Sequence, residues 1–158
     1  MAVNRYHPHI LFLPEDSANS EILNGIQLSV HFDKQRQMQI LPACGGWIKV
    51  KKKFEDDYIA YLNNNSTGYV VLVVDFDRDE NRAEEMRKSV PLDVHDRVFV
   101  FGAWKEPEKI KLGSLEHIGR KLADDCVSGT SETWDHEAFQ HNANELARFR
   151  ETACEILF

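Results

Sequence analysis

Tyr69-Val70-Val71-Leu72-Val73-Val74-Asp75-Phe76-Asp77-Arg78-Asp79 is the stretch on which the fold turns. Four valines and a leucine with no charge among them read as a strand buried on both faces, as in a parallel sheet covered by helices. Asn63-Asn64-Asn65-Ser66-Thr67-Gly68 leads in as a loop, and acids follow the apolar run at alternate positions. Side chains two apart on an extended chain point the same way, so Asp75 and Asp77 are expected to present their carboxylates together. The carboxyl ends of strands are where open α/β sheets bind ligands. Two acids there seat a divalent cation or merely end a strand in water, and the Asp-x-Asp pattern alone does not choose.

Upstream, His9-Ile10-Leu11-Phe12-Leu13 is a short apolar strand stopped by Pro14 and followed by Glu15 and Asp16. Asp16 or Ser17 supplies a helix cap, and Ile22, Leu23, Ile26 and Val30 recur at helical spacing, with Gly25 as a weak point. Gln37 to Leu41 alternates as a second strand ending at Pro42. Gly45-Gly46 turns the chain into Trp47–Leu62, where Trp47, Val50, Phe54, Tyr58, Tyr61 and Leu62 form an apolar stripe beside Lys49, Lys51, Lys52 and Lys53.

Downstream, Asn81 to Lys88 is a charged helix expected to face solvent. Arg97 to Gly102 is a fourth strand, followed by Lys105-Glu106-Pro107-Glu108-Lys109. Ser114 to Cys126 reads as a helix, Val127 to Ser131 as a loop. Trp134 to Leu157 reads as one or two helices with Phe139, Leu146, Phe149 and Ile156 inward. No internal repeat or interdomain linker stands out. Strand–helix alternation of this kind predicts an α/β fold with a mostly parallel four-stranded sheet flanked by helices. The expected organisation is one domain over residues 1–158, with a core at 9–111 and a C-terminal helical extension at 112–158.

The totals narrow the function classes. The 158 residues are 42% hydrophobic and 28% charged, as in an ordinary globular protein. No apolar run approaches the ~20 residues that span a bilayer, so no membrane partner is expected. The N-terminus has no signal-peptide pattern. Cys44, Cys126 and Cys154 are few, odd in number and far apart, which predicts reduced thiols in a cytoplasmic protein. A net charge of −7 argues against tight binding of nucleic acid through phosphates alone.

Three of the four expected strands end in carboxylates: Glu15, then Asp75 and Asp77, then Glu106 and Glu108. If the first, third and fourth strands are neighbours, these acids converge on one edge of the sheet. Gathering like charges costs free energy unless a cation offsets them. All-oxygen ligands favour Mg²⁺, Mn²⁺ or Ca²⁺ over zinc. Such an ion polarises a phosphoryl oxygen and activates water, so phosphodiester cleavage is the reaction this chemistry serves best.

With those residues in view, the chain resembles the TOPRIM family of topoisomerases, bacterial-type primases, recombination-repair proteins and overcoming-lysogenization-defect nucleases. Leu11-Phe12-Leu13-Pro14-Glu15 is similar to the family's first motif and Val73-Val74-Asp75-Phe76-Asp77 to its second, over residues 9–111. Gly45-Gly46 resembles the family's glycine turn. The resemblance implies a TOPRIM/Rossmann-like fold in which Asp75 and Asp77 hold a catalytic Mg²⁺ or Mn²⁺. It makes Glu15 a ligand or general acid/base, and Glu108, with Glu106 close behind, a ligand to a second ion. Lys49 and Lys105 are the implied candidates for meeting substrate phosphate, since ammonium groups and helix N-termini both favour anions. The nuclease branch fits best, because the tyrosine-bearing domain of topoisomerases and the zinc-binding parts of primases are missing. It implies a nucleic acid substrate, DNA ahead of RNA, and a separate ATPase or other protein as partner in a defence or repair complex.

Two positions depart from the family pattern: Asp16 stands where glycine is usual, and Asn19 where a carboxylate often lies. Asn19 and the acidic net charge favour a competing reading, a non-catalytic interaction module. A haloacid-dehalogenase-like phosphatase is a third reading, but its motif needs an aspartate near the chain start and Thr or Val where Asp79 stands. His136 and His141, five apart, are expected to be surface or capping residues rather than ligands. Trp104 is expected to pack, and Asn142, Asn144, Glu145 and Arg148 to form a solvated face or a partner surface.

Overall fold

The computed structural model describes residues 2–158. Four parallel strands, β1 (His9–Pro14), β2 (Met38–Ile40), β3 (Gly68–Val73) and β4 (Val98–Phe101), form one sheet in the order β2-β1-β3-β4. The apolar runs predict these strands, and their burial on both sides explains why no polar alternation interrupts them. Leu11, Leu13, Val70, Leu72, Val98 and Val100 pack toward one face; Ile10, Phe12, Val71, Val73, Phe99 and Phe101 pack toward the other.

Helices α2 (Trp47–Lys53), α3 (Ile59–Asn64) and α4 (Glu80–Lys88) cover the first face through Val50, Phe54, Leu62 and Met86. Helices α1 (Ser17–Leu28), α6 (Ala143–Thr152) and α7 (Cys154–Leu157) cover the second through Leu23, Leu146, Phe149, Ile156 and Leu157. The expected α/β class and parallel sheet are therefore present, and the C-terminal helices complete one of its two covering layers. Among the described residues no helix is long and apolar enough to cross a membrane.

Two local departures from the expected pattern have packing causes. The segment from Trp47 is one rod interrupted by a π turn at Phe54–Tyr58, between α2 and α3. The wider turn slows the rotation of the helix surface, so that Leu62 returns to the face that buries Phe54; both are fully buried. Gly25, a weak point for helix propensity, is instead a packing requirement. Helix α1 crosses α5 (Leu115–Ser128) so closely that a Cβ on Gly25 would lie 2.0 Å from the Glu116 carbonyl oxygen. A Cβ on Gly119 would lie 1.9 Å from that of Ile22. Backbone cannot yield as a flexible side chain does, so Gly119→Ala is expected to cost about 1–3 kcal/mol in urea unfolding. A variant as stable as the wild type would mean that the helices separate freely.

Topology positions the site. The chain leaves β1 through α1 toward β2 on one side of the sheet, and leaves β3 through α4 toward β4 on the other. Helices α1 and α4 also cover opposite faces. The crevice between the carboxyl ends of β1 and β3 is a topological switch point, the place where such sheets bind ligands.

Candidate metal centre

Pro14 pairs with Val73 in the β1–β3 register, so Glu15 enters the crevice beside the chain leaving β3. The Glu15 amide donates to the Val73 carbonyl at 2.9 Å, and the Glu15 Oε2 accepts from the Asp75 amide at 2.7 Å. The connection after β3 stays extended beside the β4 side, with the Val74 amide donating to Phe101 O and the Phe76 amide to Ala103 O. This leaves Asp75 at the floor of the crevice and Phe76 in the core.

The alternate acids do not point together as an extended chain requires. Asp77 and Arg78 adopt φ of 48° and 57°, and the Asp79 amide closes a turn onto Phe76 O at 2.9 Å. Two successive left-handed residues make a type I′-like turn, which carries backbone strain of about 1–2 kcal/mol per residue. The turn lifts Asp77 to the rim, 72% exposed, while Asp75 stays largely buried. Asp79 leaves the acid series altogether: its Oδ1 accepts from the Asn81 amide and caps α4.

A cleft of ≈ 470 Å³ gathers Glu15, Asp16, Asp75, Asp77, Glu106 and Glu108, with Arg82 and Lys109 as its two cations. The carboxylates that the strands carry thus share one rim. Asp75 feels the crowding most. Burial, then the charges of Asp16, Glu15 and Glu108, push its carboxyl up to about 7, against a smaller opposing pull from Asn19. Its Oδ1 is buried without a hydrogen-bond partner. Glu15 is also raised, chiefly by burial and by Asp16, with the Asp75 amide and Arg82 acting against the rise. Glu106 is drawn to Lys109 at 3.2 Å.

Two of the residues singled out in the sequence lie elsewhere. Lys49 lines a separate cleft with Leu41, Pro42, Cys44, Lys52, Lys53 and Tyr58, because the Gly45-Gly46 turn carries α2 away from the acids. Lys105 is ion-paired with Glu137 at 3.2 Å rather than lining the acidic cleft.

Two cleft residues were not among the expected site residues, although Asp16 was an expected helix cap. Asp16 caps α1, accepting from the Asn19 amide and side chain, each at 3.0 Å, so Asn19 serves the cap in place of a carboxylate. Arg82 reaches down from the supposedly solvent-facing α4. Its Nη1 donates to Asp75 O at 2.7 Å, and its guanidinium lies 5.0 Å from the Trp47 ring centre and 4.0 Å from the Asp77 carboxylate. An arginine one turn after a capping aspartate, with a tryptophan after the glycine turn, was the available signal.

His141 and the C-terminal polar residues also differ from expectation. His136 caps locally, its Nδ1 accepting from the Ala138 amide, but His141 is half-buried against Phe76 and Trp104, with ring centres 4.8 and 5.3 Å away. Burial drops its imidazole to about 4. Asn142 and Glu145 are buried on the edge of β4 instead of forming a solvated or partner face.

These shifts set opposing pH dependences. Between about pH 4 and 7 native Asp75 holds a proton that the unfolded chain has released, so its contribution to stability falls as pH rises. Between about pH 4 and 6.5 native His141 refuses a proton that the unfolded chain takes, so its contribution rises with pH. The two slopes offset one another in the wild type. Asp75→Asn removes one of them, and its stability is expected to rise by about 1–2 kcal/mol from pH 4 to 6.5, after allowance for solvent screening. A flat profile in urea unfolding would contradict this balance.

The donors fit a hard cation held openly rather than caged. Among the described residues no group of three or more His, Cys, Asp or Glu is arranged to hold an ion by itself. Mg²⁺ commonly takes one or two carboxylates, keeps several waters and completes its shell with substrate phosphate. The unpartnered Asp75 oxygen and the surrounding acids suit that mode, and the absence of sulfur or imidazole in the cleft argues against a zinc-type cage. Compared with family models, curated proteins and solved structures, the chain matches none.

Proposed function

We propose that the protein is a Mg²⁺- or Mn²⁺-dependent nuclease of TOPRIM type, hydrolysing phosphodiester bonds of nucleic acid, DNA ahead of RNA. The observation that carries this reading is the Asp75 carboxyl at the switch point, its buried Oδ1 unpartnered and its charge crowded by Glu15, Asp16 and Glu108. Asp75 and Asp77 would hold the ion, with Glu108 and Glu106 on the opposite wall. A divalent ion there supplies charge neutralisation, polarises a phosphoryl oxygen and lowers the pKa of bound water.

The chain's own groups divide the remaining work. Glu15 is anchored by the Asp75 amide, and its carboxyl, raised chiefly by burial, is the candidate general acid/base. Arg82, held by Asp75 O and the Trp47 ring, offers a fixed cation for a phosphate entering an otherwise repulsive cleft. Lys49 and Lys105 remain candidates for contacts farther along a polynucleotide, at the neighbouring cleft and near Glu137. A cytoplasmic location and a separate ATPase in a defence or repair complex extend the same family resemblance.

The second reading is a non-catalytic interaction module. It is favoured by Asn19, whose amide is committed to Asp16, and by the lack of a three-carboxylate cage among the described residues. Titration calorimetry with Mn²⁺, run beside cleavage of supercoiled plasmid and single-stranded RNA, separates the two. Ion binding with plasmid cleavage is the expected result; no heat of binding and no cleavage would leave the module.

A further inference from the structure

We propose that Cys126 and Cys154 form an oxidative modification site, in which a hydroperoxide converts the two thiols to an intramolecular disulfide tying α5 to α7. Neither cysteine lines the acidic cleft, and the site does not depend on its function. The residues are 28 apart in sequence, yet the fold brings them together. Cys126 lies near the end of α5 and Cys154 opens α7, so both flank the same layer over the second sheet face. The Cys154 thiol points at the end of α5, its Sγ lying 3.9 Å from the Cys126 carbonyl oxygen, to which it donates. Both are free and partly accessible, whereas Cys44, also free, packs against the opposite face of the sheet.

The surroundings give the two sulfurs different roles. The neighbouring Cys126 and the charges of Arg150 and Lys34 favour the Cys154 thiolate, against burial and Glu155. Together they lower the Cys154 thiol, which raises its thiolate fraction at neutral pH. Cys126, raised by the neighbouring Cys154 and by burial, keeps its proton. Arg150 is itself fixed by the Asp125 carbonyl at 3.3 Å, and Lys34 by the Glu155 and Phe158 carbonyls at 3.1 and 3.0 Å. The cations are therefore part of the built structure.

The chemistry closes with one hydroperoxide. The Cys154 thiolate attacks a peroxide oxygen, the O–O bond breaks, and Cys154 becomes a sulfenic acid while the other oxygen leaves as hydroxide or alkoxide and takes a proton. Cys126 then loses its proton and attacks the sulfenic sulfur. The S–O bond breaks, water leaves and the S–S bond forms. Two thiols have given two electrons, and a reductant thiol reverses the change. An apolar cavity of ≈ 70 Å³ beside Cys126, walled by Phe12, Leu122, Phe149 and Leu157, gives the sulfur room to change rotamer without displacing core atoms.

The test uses the full chain and one to two equivalents of hydrogen peroxide. The expected product is a monomer lighter by about 2 Da, with a Cys126–Cys154 peptide in the map and the three titratable thiols reduced to one, Cys44. The loop it closes is expected to raise Tm by about 5–10 °C, reversed by dithiothreitol. In Cys126→Ser, a sulfenic acid on Cys154 should be trapped by dimedone. In Cys154→Ser, peroxide consumption should fall at least about tenfold. Gains of about 16 or 32 Da without a crosslink, a disulfide through Cys44, or a covalent dimer would each overturn the proposal. The wild-type mass and peptide map decide it even if a serine variant fails to fold.

Discussion

Asp75→Ala is expected to abolish Mn²⁺-dependent cleavage, lowering the rate at least about 10³-fold, equivalent to about 4 kcal/mol of transition-state stabilisation. It should also remove the calorimetric signature of ion binding. The loss is local, because the groups around Asp75 are held by its backbone. The Glu15 carboxylate binds the Asp75 amide and Arg82 binds its carbonyl, and alanine keeps both. What disappears is the buried carboxyl whose unpartnered oxygen faces the crowd of acids. Above pH 7 the variant should be at least as stable as the wild type without added metal, since it no longer buries a charge beside Glu15 and Asp16. Mn²⁺ should raise the Tm of the wild type and leave that of Asp75→Ala unchanged. Asp77→Ala, altering an exposed side chain on the rim, should cost no more than about tenfold in rate. Equal losses at both positions would mean that the exposed Asp77 carboxylate holds the ion as firmly as the buried one.

The contrast between Asp75 and Asp77 also marks how far the sequence was legible. Long apolar runs such as Tyr69–Val74 state their own burial, and with the intervening helical spacing they were enough for a parallel sheet. In the sequence, adjacency of the first, third and fourth strands is only a condition; the order β2-β1-β3-β4 meets it, and Glu15, Asp75 and Glu108 share one rim. The direction of individual side chains did not follow. Alternation holds only while the chain stays extended, and the αL pair Asp77-Arg78 breaks it without glycine to announce the turn. Arg82 was hidden for a related reason. Helix α4 has so few apolar positions that its charges all looked solvated, whereas the Trp47 ring and the Asp75 carbonyl draw one of them inward. His141 and Asn142 depend on contacts with Phe76, Trp104 and Gly102, residues far away in sequence. No local pattern encodes such contacts.

Glu145→Leu is expected to cost about 3–5 kcal/mol of stability. Strand β4 is an outer strand, and its free edge is closed by side chains in place of a fifth strand. The Glu145 Oε1 accepts from the Val100 amide at 3.0 Å, and Asn142 both accepts from the Gly102 amide at 3.2 Å and donates to its carbonyl at 2.9 Å. Arg148 donates to the Val98 carbonyl at 3.3 Å and pairs with the Glu145 Oε2 at 2.6 Å. Alternate residues of a strand turn their backbone groups to the same side, so Val98, Val100 and Gly102 are the groups such a clamp must reach. Leucine would leave a buried amide unpaired and strip Arg148 of its counter-charge, while the edge would open to pairing between chains. Glu145→Gln retains an acceptor for Val100 and loses only the charge, so it should cost about 1–2 kcal/mol. Urea unfolding gives the two energies, and amide exchange at Val100 should speed up more in the leucine variant than in the glutamine one. If both variants unfold within about 1 kcal/mol of the wild type, the buried carboxylate is not what closes the sheet, and Asn142 with Arg148 must suffice.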